Sequence, residues 1–326
     1  MFGWLTSRLF QSILVMLVMT LIVFVGVNVI GNPIDILVPP DASQAEKLRI
    51  VAHLGLDRPL WIQYLLFLKG ILQGDLGTSY VYNQPALGVI LERLPATLEL
   101  AISAMLLSVT LGLPLGLYAG LQPDSWLAKT LMAGSILGFS LPTFWIGLIL
   151  IMVFSVQLGW LPSGGRGATE SLLGVQLSFL TVGGLKHLAL PAITLALFKI
   201  ALVMRLTRAG VREAMPQDYV RYARARGLPE GQIVGIHVLK NIMIPIVTVI
   251  GLEFGSLIAF SVVTESVFAW PGMGKLIIDS IKVLDRPIVV AYLVLVMLIF
   301  VGINLLTDMV YTVLDPRVRL GRKRGA

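Results

Sequence analysis

The sequence predicts an all-α integral membrane protein with six transmembrane helices and both termini in the cytoplasm. Three observations lead there: an apolar composition, six apolar stretches of span length, and a lopsided distribution of lysine and arginine. Of 326 residues, 56% are hydrophobic and 13% charged. That is more apolar surface than one water-soluble core can hide, so a bilayer must take the remainder.

A bilayer core is crossed by about 20 apolar residues in a helix. Stretches at roughly 9–30, 95–118, 130–156, 187–204, 242–264 and 288–313 qualify. Hydrocarbon offers no hydrogen-bond partner to an open backbone, so each reads as a helix. The first follows Arg8 and superficially resembles a secretory signal; it is longer than a signal's apolar region and no small-x-small cleavage site follows, so it reads as a retained span. The fourth is the least regular, with Lys199 inside it and Pro191 near its start.

Orientation follows from the short loops. Arg8, Lys129, seven cations from Arg205 to Lys240 and five from Arg317 to Arg324 stand on one side, against Arg166, Lys186, Lys275, Lys282 and Arg286 on the other. The richer side is the cytoplasm. Residues 1–30 then form the N-terminal segment and first span, 31–94 an extracytoplasmic cap, 95–313 a five-helix core containing a cytoplasmic loop at 205–241, and 314–326 a basic tail. The cap carries an amphipathic stretch at Pro59–Leu72 and the turn Gly74-Asp75-Leu76-Gly77-Thr78-Ser79, and a second outer stretch at about Gly159–Gly184 reads as a mobile loop.

Charge and cysteine count exclude several classes. The formal net charge of +7 collects beside apolar spans, where topology and anionic lipid account for it without nucleic acid. With no cysteine, disulfides and thiol nucleophiles are ruled out, and His53, His187 and His237 are too dispersed in sequence to signal a metal site.

The 205–241 loop is polar yet built to fold. Asp218 is placed to cap a helix running on through Tyr219-Val220-Arg221-Tyr222-Ala223-Arg224-Ala225-Arg226; Gly227 suits the left-handed position that ends it, and Pro229 prevents its resumption. Helical spacing puts Tyr219, Ala223 and Arg226 on one face and Arg221, Tyr222 and Ala225 on another, so small residues lie beside aromatic and cationic anchors where a partner can pack. The blander reading is a basic loop held by anionic lipid.

The run Asp218 to Leu228, followed by His237-Val238-Leu239-Lys240-Asn241 and Pro245, resembles the cytoplasmic signature of binding-protein-dependent ABC importer permeases, in the version of the dipeptide, oligopeptide and nickel subfamily. Gly55 to Leu60, Gly74 to Ser79, Glu92 to Leu100, Ser140 to Trp145, Phe268 to Lys275 and Leu314 to Arg317 resemble the same subfamily, in order along nearly the whole chain, in the first of its two permease types. The generic pattern begins Glu-Ala-Ala where this chain has Arg221-Tyr222-Ala223, a departure common among peptide permeases. The resemblance implies a type I importer fold and a coupling helix made of Asp218, Tyr219, Arg221, Tyr222, Ala223, Arg224, Ala225, Arg226 and Gly227, seated on an ATP-hydrolysing subunit. It also implies a second homologous permease, two ATP-binding subunits that carry the ATP and magnesium, and an extracytoplasmic solute-binding protein.

Other constellations bear on the pathway. Glu253, Ser256, Phe260 and Thr264 fall on one face of the fifth span, and Asn304, Asp308 and Tyr311 on one face of the sixth. A charge at membrane depth is costly, so these faces should meet protein or water, as a pathway wall or as bonds between helices. Pro142 inside the third span should kink it near Ser140, as a hinge or a packing bend. The Gly-Lys pair in Ala269-Trp270-Pro271-Gly272-Met273-Gly274-Lys275-Leu276 fails as a phosphate loop, because Ala269 and Leu276 stand where glycine and Ser or Thr are needed. Trp270, Pro271, Gly272 and Gly274 are instead expected in a turn that docks the solute-binding protein, as the resemblance implies. The chain is therefore not expected to be an enzyme or to hold a cofactor. The competing reading is an autonomous ion-coupled transporter using Glu253 and Asp308, which predicts repeat symmetry that is not evident. An intramembrane hydrolase would need a nucleophile or metal cluster that the sequence lacks.

Overall fold

The computed structural model describes residues 2–29 and 57–314. These are almost entirely helical: α1 Phe2–Val29, α2 Leu60–Gln73, α3 Ala86–Leu121, α4 Trp126–Ser140, α5 Thr143–Gln157, α6 Val182–Ala214, α7 Asp218–Ala225, α8 Glu230–Val267, α9 Met273–Lys282 and α10 Arg286–Leu314. Among the described residues α3, α6, α8 and α10 are long and apolar enough to cross a membrane, and α4 with α5 supplies a fifth crossing if the bent pair is one span. The spans outrun the apolar stretches of the sequence. For example, α3 begins at Ala86 rather than 95, and α6 runs to Ala214 rather than 204, because backbone hydrogen bonding continues through polar residues at the span ends. The tail beyond 314 and much of the expected cap, with its Gly55-Leu56 motif, lie outside the described residues.

The chain falls into two compact units, Met1–Leu94 with Lys275–Val301, and Pro95–Gly274 with Gly302–Ala326. In the first, α2 packs on α1 through a ring cluster of Phe24, Tyr64 and Phe67, and the Tyr64 hydroxyl lies 3.0 Å from that of Thr20. Gly74 caps α2 in the left-handed conformation at φ 73°, which glycine adopts without a Cβ penalty. Fully buried Asp285 organises the turn that follows: the Ser79 hydroxyl donates to it, as do the backbone N–H groups of Tyr80 at 3.2 Å and Val81 at 3.4 Å. Burial is the main reason that the Tyr80 phenol is pushed above its ordinary value.

In the second unit a glycine ridge sets the helix spacing. Gly112, Gly116 and Gly120 repeat every four residues on α3 and meet α6 at Val203, Met204, Thr207 and Val211. A Cβ on Gly116 would stand 2.6 Å from the Met204 carbonyl oxygen and from Thr207 Cβ. Apolar helices gain no hydrophobic advantage by meeting in lipid, so close backbone approach of this kind is what holds them. It also explains why α6 looked least regular: 61% of its apolar window is buried within the chain, against 28–39% for the other three long spans, so Lys199 and Pro191 lie within protein.

Two expectations change. The third span does not merely kink at Pro142. Helix α4 stops at Ser140, Leu141 is extended, and α5 restarts at Thr143 with Pro142 before its first turn, where the missing N–H costs nothing. The 159–184 stretch, expected to be a mobile loop, is folded, with an antiparallel hairpin pairing Glu170–Leu172 with Val175–Leu177. Its glycines serve turns at Gly165, Gly167 and Gly174, all with positive φ.

The ridge yields a test. Gly116→Val should destabilise the folded chain by about 1–3 kcal/mol through overpacking, whereas Gly88→Ala, whose Cβ would meet nothing within 4 Å, should be near neutral. Thermal unfolding in detergent, followed by fluorescence-detected size exclusion, measures the difference.

Candidate functional site

Helix α7 is short, but its inner face is buried firmly. Val220 is fully buried and Ala223 is 4% exposed. They join one apolar cluster with Val211 and Ala214 from the end of α6 and Ile233, Val238, Ile242 and Ile246 from α8. Burying a side chain such as Val220 contributes roughly 1.5–3 kcal/mol. The opposite face, with Tyr219, Arg221, Tyr222 and Ala225, is open.

The expected cap is corrected. Gln217 occupies the capping position without a side-chain bond to the helix, and Asp218 is the first helical residue. Its exposed carboxylate, 3.8 Å from the Arg221 guanidinium, still favours the helix N-terminus electrostatically. The expected partner face also changes, because Ala223 is covered by the chain's own cluster. Val220, which the sequence reading left out, is the residue that anchors the helix.

At the other end Gly227 takes φ 74°, and the Leu228 N–H returns to the Ala223 carbonyl at 3.3 Å. Arg224 then clips the chain as it leaves, its Nε 2.6 Å and Nη2 3.2 Å from the two oxygens of Glu230. That hydrogen bonding holds the Glu230 carboxyl below its ordinary value and raises the Arg224 guanidinium. Arg226 lies 5.6 Å over the Tyr222 ring. The nine residues read as one coupling element are thus contiguous in space, with two roles: an apolar root and a polar, aromatic outer surface.

The charged face of α8 finds a partner that the sequence did not reveal. Lys199 of α6 bonds the Glu253 carboxylate and donates to the Ser256 hydroxyl at 2.9 Å. Along the same face Phe260 is 75% exposed, while Thr264 is buried. Ser140 returns its hydroxyl to the Ile136 carbonyl at 3.0 Å, and it and Pro142 are exposed at the break between α4 and α5. Asp308 and Asn304 are half-buried on α10. The only signal for the Lys199–Glu253 pair was the presence of one charge of each sign at the middle of two apolar runs.

Two further carboxylates organise the far end of the second unit. Glu99, buried in α3, takes bonds from Arg166 Nε at 3.0 Å and Nη2 at 2.7 Å, and from the backbone N–H groups of Ser178 and Phe179 at 2.7 and 2.8 Å. It therefore ties both flanks of the hairpin to α3. His187 helps, its Nδ1 2.8 Å from the Gly164 carbonyl oxygen.

Glu265, fully buried, accepts from the Thr97 and Ser261 hydroxyls at 2.7 and 3.0 Å. Above it folds the Phe268–Gly274 turn. Trp270 donates its indole N–H to the Ala96 carbonyl at 2.9 Å, and the Met273 N–H reaches Thr97 at 2.8 Å. A Cβ on Gly272 or Gly274 would strike the Glu265 carboxylate. These glycines therefore face a carboxylate, which would repel phosphate. Trp270, Gly272 and Gly274 are buried while Pro271 is partly open, so the first three shape the turn from within.

The family model described as "Binding-protein-dependent transport system inner membrane component" matches residues 112–320, and its N-terminal companion model matches residues 1–101. The chain belongs to that family. It is an inner-membrane, multi-pass component of a binding-protein-dependent transport system. It is 36% identical to the dipeptide transport system permease protein DppB of Escherichia coli K12, with 92% of this chain and 94% of that protein covered. It is 35% identical to the DppB of Alkalihalophilus pseudofirmus, over 98% of this chain and all of that one. The di/tripeptide transport system permease protein DppB of Pseudomonas aeruginosa is 38% identical, at 92% and 94% coverage. A solved structure described as inward facing conformations of the MetNI methionine ABC transporter shares the fold. It has a TM-score of 0.50 and 18% identity, covering 71% of this chain and 98% of that one.

Glu99 gives the test of this region. Glu99→Gln leaves Arg166 without its counter-charge, and breaking a pair of this kind costs about 3–5 kcal/mol when both partners are buried. Hydrogen exchange at amides 164–180 should accelerate by at least about tenfold, with exchange in α7 unchanged.

Proposed function

We propose that this permease moves peptides, or solutes of similar size, through the membrane under the control of ATPase subunits that grip α7. It works beside a second, homologous permease, with two ATP-binding subunits below and a solute-binding protein outside. In this reading the chain has six spans with both ends in the cytoplasm and an extracytoplasmic cap after the first. The Phe268–Lys275 turn lies at the outer surface, where its buried Trp270, Gly272 and Gly274 hold the shape that the binding protein meets.

The observation that carries the reading is the two-sided build of α7. Its inner residues share one apolar cluster with the end of α6 and the start of α8. A close-packed cluster transmits displacement instead of absorbing it. When ATP draws the partner subunits together, a pull on the outer surface of α7 therefore moves two spans at once. The states open to either side interconvert, each favoured by the partner that binds it better. ATP and magnesium act in the partner subunits. The peptide class is supported by the names of the dipeptide and di/tripeptide relatives.

The ion-coupled alternative assigned Glu253 and Asp308 to cation binding. The family match, to a component of a binding-protein-dependent system, does not favour an autonomous transporter.

Co-purification from membranes provides the test. In the chain expressed with its partners, Arg221→Glu with Tyr222→Ala should reduce ATPase recovery by about tenfold or more, as expected for exposed Arg and Tyr anchors. The second permease should remain bound. A variant that keeps the ATPase at wild-type stoichiometry, or a wild-type chain that moves dipeptide in liposomes without ATP, would sink the reading.

A further inference from the structure

The Lys199–Glu253 pair stands at an unusual place. Lys199 lies midway along α6 and Glu253 near the middle of the apolar part of α8, so the pair is at the depth where ionised groups are least tolerated. A buried pair is seldom the best way to join two helices, because apolar residues of similar volume do so at least as well.

The geometry is also asymmetric. Both bonds to the carboxylate, from Lys199 and from the Ser256 hydroxyl at 2.9 Å, go to Oε2. Among the described residues Oε1 accepts no hydrogen bond, and the Glu253 side chain is 30% exposed against 11% for Lys199. Seven residues on, along the same stripe of α8, Phe260 is 75% exposed. An unsatisfied carboxylate oxygen cannot face hydrocarbon, so this stripe meets water or solute.

We propose that Lys199, Glu253 and Ser256 form a transit site for the free α-ammonium group of a zwitterionic peptide. Glu253 Oε1 receives the ammonium while Lys199 and Ser256 hold the carboxylate still. The inference rests on the peptide-import reading above. Lys199 explains why such a site releases what it binds. Its charge already offsets most of the carboxylate's, so a passing ammonium is recognised without being trapped, the condition that any conducting site must meet. Phe260, two turns along and roughly 10 Å away, lies within reach of the rest of a short peptide.

The chain has no cysteine, so Phe260→Cys installs a unique thiol in it. The complete wild-type complex, with its partner subunits, is placed in liposomes and assayed first for ATP-driven uptake of alanyl-alanine. The Phe260→Cys complex is then treated with a water-soluble cationic thiol reagent, and modification of this chain is read by mass. Alanyl-alanine near ten times its dissociation constant should slow labelling about tenfold, and N-acetyl-alanyl-alanine should not. Protection should vanish in the neutral pair Lys199→Met with Glu253→Gln. It should vanish equally in the exchanged pair Lys199→Glu with Glu253→Lys, which keeps the helices joined but moves the carboxylate away from the open stripe.

Equal protection by the two peptides in the Phe260→Cys complex overturns the proposal before either pair is tested. A thiol inaccessible from water overturns it too, as does protection that survives in the exchanged pair, the result expected of a mere helix clasp. A complex that takes up no dipeptide overturns the import reading instead, and the uptake arm reports that separately.

Discussion

Hydrocarbon cannot hydrogen-bond, and this constraint governs where the polar groups of the chain are found. Each backbone amide and each charge at membrane depth has to be satisfied by the protein itself or by enclosed water. That is why the long spans are helices, why α6, the one with a lysine at its centre, is also the most enclosed of the four, and why Lys199 is found bonded to Glu253 and Ser256. At the far end of the second unit the same demand is met by Glu99 and Glu265. Each gathers hydroxyl, guanidinium or backbone donors around a buried carboxylate.

Packing supplies what hydrophobic force cannot. Within a bilayer, helices are no more apolar than their surroundings, so close contact has to be built from small residues, as along Gly112, Gly116 and Gly120. Beyond the α6 end, the cluster around Val220 and Ala223 is an ordinary apolar core of the kind found in soluble proteins. The α7 element therefore joins two regimes: an exposed polar and aromatic surface, and a root continuous with the long helices. The Arg224–Glu230 clip and the left-handed Gly227 fix the direction in which the chain leaves it.

Much of this was legible in the amino-acid sequence, and the failures are instructive. The α7 segment was bounded correctly to within a residue because its stop signals, Gly227 and Pro229, act locally. The assignment of its faces failed at Ala223, since which side of a short helix is covered depends on residues far along the chain, such as Ile233 and Ile242. The 159–184 stretch looked mobile because glycine and serine are common in loops. Its order comes from Glu99, some seventy residues earlier, and composition carries no trace of that bond. Pro142 was recognised as a disruption, but whether a proline bends a helix or ends it is decided by the neighbours that satisfy the freed backbone groups.

By itself, then, the sequence determined the membrane character of the chain, the approximate place of its four long apolar helices, the position of the short helix α7 and the family signature. All of these depend on composition, hydrophobic runs and local turn chemistry, which act over a few residues. Only the tertiary structure decided which charges are paired, which face of α7 is open, and that Trp270, Gly272 and Gly274 are built into the turn instead of displayed on it. Those outcomes depend on contacts between residues distant in sequence, and a side chain's environment is set by what folds against it.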